Sequence, residues 1–380
     1  MRVAYASKLY KKYSGSVVDL LKEVFIDLSA NTETSTIDGL FFTQLPGTFD
    51  KKELHFPSTQ ISSFLGIKPR ILRVLDIGGP SAMTMLYEAI RAVEAGMAEK
   101  ILCVVGGKGS MLREKGFTAD SVDKVLPYSI TPYDELFRIY DDMNPVTDYA
   151  LVANRHKFLY HSTDEERATI SVKQRKNAES NPKAIYKSPL SVKEVLSSRM
   201  IADPLRLLEV VYPIDGFNLF LVGKGLTGDY VDVSVEFYRE AHWPEMPPDR
   251  DLDVTYTPAL ESGKGVNLDK VDALELYDSF TITVLLQVED LGLAKKGDGG
   301  KFFEEKDVSP TGEIPVNTGG GTLNTGQPAF MSGGVILEEA IEQLGGRAMG
   351  RQVKGVQRVL INGIGGWNRA HSVTMVLRGE

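Results

Sequence analysis

The chain has very little cysteine: among its 380 residues only Cys103 carries a thiol. One thiol cannot form a disulfide within the chain, and it cannot supply a cluster of cysteine ligands for a metal ion. Cys103 lies in the apolar stretch 100–105, which predicts a buried central strand. Reactive thiols usually lie in exposed, electropositive surroundings, so we expect Cys103 to be a small core residue rather than a nucleophile.

Long hydrophobic runs and an excess of basic residues are also missing. No apolar run approaches the roughly 20 residues that a membrane-spanning helix needs. The first residues, 1–6, predict a strand rather than a signal peptide. A net charge of −8 gives no indication of nucleic-acid binding. We therefore expect a cytoplasmic protein with neither a membrane nor a nucleic acid as partner.

The most informative feature that is present is the turn Gly78-Gly79-Pro80-Ser81. It follows the apolar run 71–77 and precedes a helical pattern, and a strand over 100–105 that ends at Gly106-Gly107 comes next. One face of that helix carries apolar residues at spacings of three and four: Ala82, Met85, Leu86, Ala89, Ile90 and Val93. In α/β enzymes such a turn presents a side chain to the substrate at a helix N-terminus, where free N–H groups acidify a thiol or hold an anion. Here the turn is present and the thiol is not.

A second, weaker copy of this pattern occurs near the C-terminus. Gly326-Gln327-Pro328 and Ser332-Gly333-Gly334 precede a helix carrying Glu339-Ala340-Ile341, which is followed by the strand 359–361 and the glycine-rich stretch 363–366. We expect that stretch to form a loop between two C-terminal strands. Two copies of one pattern predict a duplicated α/β protein.

The rest of the chain fits two halves, residues 1–225 and 226–380. The alternating segment 230–237 predicts a strand that opens the second half. A polar, helix-rich region from about residue 115 to 207 has few strand signals, and we expect it to be an insertion that covers one side of the first half.

Several ordered motifs are similar to one known family. The most specific is Ser198–Leu208 (SRMIADPLRLL), which is followed by Asp215-Gly216. The segment 118–142 before Tyr149-Ala150-Leu151-Val152-Ala153, then Tyr277-Asp278-Ser279-Phe280 and Asn317-Thr318-Gly319-Gly320-Gly321, are in register with it. Over essentially its whole length the chain resembles the thiolase superfamily, and within it the sterol-carrier-protein type and the archaeal acetyl-CoA acetyltransferases. The resemblance implies a duplicated five-layered α/β/α/β/α fold, a homodimer and a coenzyme A thioester as substrate, with no covalently bound cofactor and no metal in this chain.

The resemblance also shows where this chain departs from the family. Thiolases use a nucleophilic cysteine, an Asn-Glu-Ala-Phe or His-Asp-Cys-Phe loop, a Gly-His-Pro loop and a C-terminal Cys-x-Gly. Aligning these motifs puts Gly78 at the nucleophile, Tyr277 and Gln327 at the two histidines, and Gly363 near the second cysteine. Because all four reactive groups are replaced, we do not expect cysteine-based thiolysis.

Two kinds of side chain could take over the missing chemistry. Ser81 lies at the helix start, where a serine is either a nucleophile or, more commonly, an N-terminal cap. A serine nucleophile needs a base, and none of the five histidines falls in a motif loop. We expect each of them to be a surface or structural residue: His55, His156, His161, His242 and His371.

Tyr277, followed by Asp278, is the most interesting replacement. It ends the predicted strand 271–276, so its phenol either reaches the central cavity or fills the space of the missing histidine. In the cavity it would act as a general acid or an oxyanion donor. The steroid side-chain-cleaving aldolases of the superfamily resemble this chain in lacking the cysteine and using tyrosines. They break a C–C bond by a retro-aldol route with a zinc-bearing OB-fold partner, but they carry a tyrosine where this chain has Gln327.

The remaining candidates are glycines and polar residues of the motif loops. The glycine clusters either let the backbone approach a pantetheine arm and thioester oxygen or form tight turns. Two asparagines could donate hydrogen bonds in the same pocket. The candidate binding residues are Gly78, Gly79, Asn317, Gly320, Asn324, Ser332, Gly333, Gly363 and Gly365.

Two hypotheses for function follow. In the first, the protein makes or breaks a C–C bond of a coenzyme A thioester without an acyl-enzyme. In the second, it is a non-catalytic scaffold or partner subunit that kept the fold and lost the chemistry.

Overall fold

A computed structural model describes residues 1–43, 57–110, 145–243, 252–329, 333–366 and 369–380. Ser332, His55 and the first part of the helix-rich region, up to residue 144, lie outside the described residues. The strands of the described residues are β1 Arg2–Tyr10, β2 Gly39–Phe42, β3 Ile71–Val74, β4 Lys100–Lys108, β5 Met200–Ala202, β6 Leu205–Arg206, β7 Pro213–Gly223, β8 Val231–His242, β9 Ala273–Leu276, β10 Gln327–Pro328, β11 Arg358–Gly365 and β12 His371–Gly379.

The helices are distributed along the whole chain, singly or in runs of two or three between the strands. In the described ranges they are α1 Val17–Asn31, α2 Pro57–Leu65, α3 Ser81–Glu94, α4 Pro145–Tyr160, α5 Asp164–Ala178, α6 Val192–Ser197, α7 Ala259–Ser262, α8 Thr281–Asp290, α9 Gly299–Glu305, α10 Gly321–Thr325 and α11 Gly333–Leu344, with short 3-10 turns at Leu207–Glu209 and Leu268–Lys270. No helix in these ranges is long and apolar enough to cross a membrane.

Most strands join one sheet in the order β3-β2-β4-β7-β1-β8-β12-β11-β9, with β10 pairing on β7. The two parts of this order, β3-β2-β4-β7-β1 and β8-β12-β11-β9, meet through a short contact, in which Arg2 and Val3 of β1 pair with Asp232 and Val231 of β8. The first five strands in this order belong to residues 1–225, and the last four belong to residues 226–380. The strands predicted at the N-terminus and at residues 230–237 are therefore confirmed.

Three buried clusters show how the helices cover the sheet. One cluster packs α3 and α11 between these two parts of the sheet, and the alternate residues Ile101, Cys103 and Val105 of β4 face it. A second packs α1 and α2 on the outer side of the first half, where Leu102 and Val104 point. The third packs α4, α5 and α8 on the outer side of the second half. Helix, sheet, helix, sheet, helix is the expected five-layered order, so that prediction is confirmed.

Two glycine-rich stretches differ from expectation. β4 does not end at Gly106-Gly107 but continues to Lys108, paired with β7 throughout. A Cβ on Gly106 would lie 2.2 Å from the carbonyl oxygen of Gly216, so glycine permits close strand pairing there rather than ending the strand. Likewise, β11 runs through Gly363 to Gly365, so most of the stretch 363–366 that was predicted to be a loop belongs to the strand.

The described part of the helix-rich region, from residue 145 onward, packs on the second half rather than on the first. In its described part, α5 packs against α8, α9 and α10, which follow in the second half of the sequence. Arg167 of α5 is almost fully buried and bonds Glu209 at 3.1 Å, while Gln174 bonds Asp278 at 2.9 Å. Only the tertiary fold determines which polar side chains find buried partners. The polar sequence of this region therefore suggested that it covers the surface of the first half.

Candidate active site

The turn predicted to present a nucleophile lies directly against the end of β11. A Cβ on Gly78 would lie 2.4 Å from the backbone nitrogen of Gly366, and one on Gly365 would lie 2.1 Å from that of Gly79. Gly78 also has a φ of 71°, which side-chain-bearing residues rarely adopt. We call these four residues, Gly78, Gly79, Gly365 and Gly366, the glycine junction. Backbone meets backbone there, and position 78 has no room for a side chain.

Tyr277 is brought to this junction. A Cβ on Gly79 would lie 2.5 Å from Cε2 of the Tyr277 ring, so the ring covers Gly79. The backbone of Tyr277 is held on both sides: its N–H donates to the carbonyl of Asn362 at 2.9 Å, and its carbonyl accepts from Nε2 of Gln287 at 2.6 Å. The side chain is buried at the end of β9.

Two further glycines support the same turn. A Cβ on Gly363 would lie 2.7 Å from Cα of Pro80, and one on Gly333 would lie 2.0 Å from the carbonyl oxygen of Gly79. Both glycines come from the second half of the sequence and pack against the turn of the first half. The structure thus brings Gly78, Gly79, Gly333, Gly363, Gly365 and Tyr277 together.

Ser81 does not cap its helix. Pro80 is the N-cap residue of α3 and makes no side-chain hydrogen bond, while Ser81 is the first helical residue. Its hydroxyl donates to the carbonyl of Gly78 at 2.7 Å and accepts from the N–H of Ile77 at 2.9 Å. The predicted cap is therefore wrong, because this side chain closes the turn before the helix instead. The same two bonds leave the hydroxyl poorly placed to attack a substrate.

Asp278 faces away from the junction, toward α10. Its carboxylate accepts from the N–H groups of Thr322 and Leu323 at 2.8 and 3.0 Å, from Nε2 of Gln174 at 2.9 Å, and from the Thr322 hydroxyl. Burial raises the pKa of Asp278 to about 6, although these hydrogen bonds act in the opposite direction. The contacts make Asp278 a support of the α10 N-terminus.

Both candidate asparagines are occupied by the protein itself. The amide of Asn317 bridges the N–H and the carbonyl of Leu276, at 2.6 and 3.0 Å, and so fixes the strand end that carries Tyr277. Asn324 accepts from Arg175 and donates to the carbonyl of Gly320 at 2.7 Å. A Cβ on Gly320 would lie 2.4 Å from Cβ of Ala178. Gly320 therefore serves the packing of α10 on α5, and neither amide is directed into an open pocket.

Gln327 lies on β10, where its N–H donates to the carbonyl of Tyr212 at 2.9 Å. Its side chain is buried, and its Oε1 has no hydrogen-bond partner among the described residues. Two residues on, Ala329 has a φ of 53°, an uncommon conformation for a residue with a side chain. An unsatisfied buried acceptor costs stability unless something binds it, so Oε1 of Gln327 is available to accept a hydrogen bond from a ligand.

Sequence reasoning missed two side chains near the junction. Burial raises the pKa of Tyr149, and the neighbouring Tyr277 adds to this shift, so the two phenols are close to each other. The second is His371, which was expected to be a surface or structural residue: a Cβ on Gly366 would lie 2.4 Å from its Cδ2. Its position five residues after the 363–366 glycines was the available signal. His156, by contrast, is buried between Ser162 and Glu289, as a structural histidine would be.

Cys103 is a core residue, as expected. It is buried in β4, and its Sγ contacts the carbonyl of Met85 at 3.8 Å. Burial raises the pKa of its thiol, which disfavours the reactive thiolate.

Comparison with known proteins agrees with this architecture. A family model described as "Thiolase C-terminal domain-like" matches residues 250–378. An acetyl-CoA acetyltransferase of Methanothermobacter thermautotrophicus is 30% identical over 346 residues, which cover 89% of this chain and 88% of that protein. A 17-hydroxy-3-oxo-4-pregnene-20-carboxyl-CoA lyase of Mycobacterium tuberculosis is 28% identical over 304 residues, covering 76% of this chain and 77% of the lyase. The solved structure of the Ltp2-ChsH2(DUF35) aldolase superposes with a TM-score of 0.80 at 23% identity, over 100% of this chain and 97% of that one. The chain belongs to the thiolase superfamily.

Proposed function

We propose that this protein makes or breaks a C–C bond of a coenzyme A thioester by aldol chemistry, without forming an acyl-enzyme. The observation that carries the proposal is the glycine junction. The position of the thiolase nucleophile is closed by backbone, yet a tyrosine ring covers the same turn. The phenol of that tyrosine is a hydrogen-bond donor beside a turn that has no nucleophile.

The proposed reaction is the cleavage of a β-hydroxyacyl thioester. The hydroxyl loses its proton, its oxygen forms a carbonyl, and the bond between Cα and Cβ breaks. The electron pair of that bond moves to Cα and forms the thioester enolate, which is then protonated to a shorter acyl-CoA. Tyr277 would donate a hydrogen bond to the enolate oxygen, because a fixed donor in a site without water stabilises developing negative charge. Gln327 would donate or accept a second hydrogen bond.

The relatives support this class of substrate. One of them is named an acetyl-CoA acetyltransferase and another a carboxyl-CoA lyase, so both names include a coenzyme A thioester. The proposed site lies between the two proposed halves, residues 1–225 and 226–380. Gly78 and Gly79 come from the first half, and Tyr277, Gln327 and Gly365 come from the second.

Covalent chemistry is tested by intact-protein mass spectrometry after incubation with acetyl-CoA. We expect an unchanged mass, because position 78 carries no side chain and Cys103 is buried. Gly78→Cys should restore no thiolase activity, since its Cβ would meet the backbone of Gly366 and the neutral amide of Gln327 cannot form a thiolate. A stoichiometric acetyl adduct on Ser81 or Cys103 would contradict the proposal.

We further propose that the protein works as a homodimer together with a zinc-bearing OB-fold partner. Its similarity to an aldolase solved with a DUF35 protein supports the partner protein, while the homodimer and the zinc are what the resemblance to the thiolases and the aldolase branch implies. When the chain is purified from its native host at native expression, we expect the partner to co-purify and the isolated chain to turn over acyl-CoA weakly or not at all. Full activity of the chain alone would show that no partner is needed.

A panel of β-hydroxyacyl- and β-ketoacyl-CoA substrates, analysed by mass spectrometry with and without that partner, tests the reaction itself. Shorter acyl-CoA products are expected. If no member of the panel is converted under either condition, the protein is better described as a non-catalytic subunit.

A further inference from the structure

Beside the glycine junction, two paired strands carry a chain of hydrogen bonds. His371 opens β12 and pairs with His242 at the end of β8. The Nδ1 atoms of the two histidines lie 3.1 Å apart, and Nε2 of His242 lies 2.8 Å from Oε2 of Glu240. Glu240, His242 and His371 thus form one continuous row, which we call the imidazole chain.

The carboxylate end of this row is fixed as an acceptor. Oε1 of Glu240 also accepts hydrogen bonds from the hydroxyls of Thr84, at 3.2 Å, and Tyr238. Burial alone would raise the pKa of Glu240, but the hydrogen bonds from Tyr238, His242 and Thr84 outweigh it and hold that pKa below its usual value. Glu240 is therefore ionised at neutral pH and cannot donate a proton to His242.

This acceptor determines the tautomer of each imidazole in turn. His242 must donate through Nε2 to Glu240, which leaves Nδ1 of a neutral His242 as an acceptor. His371 must then donate through its own Nδ1. A neutral His371 consequently carries its lone pair on Nε2.

The nitrogen that carries this lone pair lies beside the glycine junction. A Cβ on Gly366 would lie 3.0 Å from Nε2 of His371, and within the described ranges this nitrogen has no hydrogen-bond partner. Burial, followed by the neighbouring His242, lowers the pKa of His371, against the opposing influence of Asp76 and Glu240. His371 is therefore neutral, and able to accept a proton, at pH 7.

His371 and Tyr277 flank the same segment of β11. β11 lies between β9 and β12; Asn362 pairs with Leu276, and Gly365 pairs with His371. Tyr277, one residue beyond Leu276, thus lies opposite Gly363, on the face that Gly365 and His371 share, because alternate residues of a strand share a face. Neighbouring strands are about 4.8 Å apart, which puts the two backbones roughly 10 Å apart, with both side chains beside the junction.

We propose that His371 is the general base of the reaction at the glycine junction and that Glu240 and His242 are positioning residues that set its tautomer. This rests on the function proposed above. Nε2 accepts the proton of the β-hydroxyl as the Cα–Cβ bond breaks, and the same proton is returned to Cα of the enolate. Tyr277 holds the enolate oxygen meanwhile, so the two side chains have separate tasks.

The first test compares His371→Asn with the exposed His161→Asn as a matched control, using the chain together with any partner that co-purifies. Asparagine can still donate to Nδ1 of His242 but has no atom at Nε2. We expect His371→Asn to lower kcat by about a hundredfold or more with little change in KM, which is the usual effect of losing a general base. In the wild type, kcat/KM should fall as the pH is lowered below the pKa of His371, and this limb should be absent in the variant. A His371→Asn protein as active as the control would overturn the assignment.

The second test does not depend on turnover. Nitrogen NMR of the histidine rings reports which nitrogen carries the proton, and we expect a bare Nε2 on His371 at neutral pH. In Glu240→Gln the amide can donate to His242 and reverse the row, so Nε2 of His371 should become protonated and kcat should fall. A proton on Nε2 of His371 in the wild type would overturn this inference. It would not overturn the proposed function, which the Tyr277→Phe variant tests separately. No turnover of any thioester in the wild type would instead overturn the proposed function and this base with it.

Discussion

Replacing Tyr277 with phenylalanine should lower turnover by about a hundredfold or more and leave the fold almost unchanged. The ring that covers Gly79 remains, and only the hydroxyl is lost. Loss of one hydrogen bond changes the free energy of unfolding by about 1 kcal/mol or less. The loss of a general acid or oxyanion donor costs far more in rate. Steady-state kinetics and urea unfolding of the same preparation measure the two effects.

A suitable control is Tyr230→Phe, since the ring of Tyr230 packs under Arg2 at 4.6 Å and keeps that contact without its hydroxyl. We expect this variant to retain full turnover. If Tyr277→Phe cleaves a β-hydroxyacyl-CoA as fast as the control does, the tyrosine has no chemical task and only fills space.

Replacing Gly365 with alanine should destabilise the protein by more than about 3 kcal/mol or prevent folding, which is a large effect for one methyl group. The new Cβ would lie 2.1 Å from the backbone nitrogen of Gly79 and 2.9 Å from the carbonyl carbon of Gly78. No rotamer relieves such a contact, because both partners are backbone. The soluble yield and the urea midpoint measure the effect.

Gly225→Ala is the matched control, because a Cβ there would meet nothing within 4 Å. Its stability should stay within about 1 kcal/mol of the wild type. A Gly365→Ala protein as stable as Gly225→Ala would mean that the end of β11 does not touch the turn at Gly78 and Gly79, and the assignment of position 78 as closed would fail with it.

The sequence predicted the parts of this molecule that depend on local pattern. Apolar spacing located α3, and alternation located β8, because these signals come from neighbours along the chain. The motif resemblance added the five layers. The contact of the Gly78-Gly79 turn with Tyr277, which the structure makes through Gly79, followed from both, since the ends of strands in one fold meet at a common edge.

What the sequence could not predict depends on partners far away along the chain. Serine is a common N-cap residue, but the hydroxyl of Ser81 is already used by the carbonyl of Gly78 and the N–H of Ile77. Asp278 follows Tyr277 directly, yet its four hydrogen bonds come from α5 and α10. A residue type limits what a side chain is able to bond, and only tertiary structure selects among the possibilities.

His371 is the converse case, a residue that the sequence did not propose for the site and that the structure places beside it. It occurs outside every motif loop, so pattern alone made it a surface or structural residue. Its significance depends on the register of two strand pairs, which aligns it with both Gly365 and His242. Register between strands more than a hundred residues apart is fixed by the folded sheet.

The burial of Cys103 has a practical and a biological consequence. Thiolases that depend on an active-site thiolate are open to peroxide, nitrosating agents and electrophilic metabolites, because such a thiolate is the most reactive sulfur in the protein. In this chain the only sulfhydryl is enclosed within the central strand. The reaction proposed at the glycine junction would therefore continue under oxidative conditions that inactivate the cysteine-dependent members of the superfamily. For the same reason, a single cysteine placed on the surface would take up a spectroscopic label without competition.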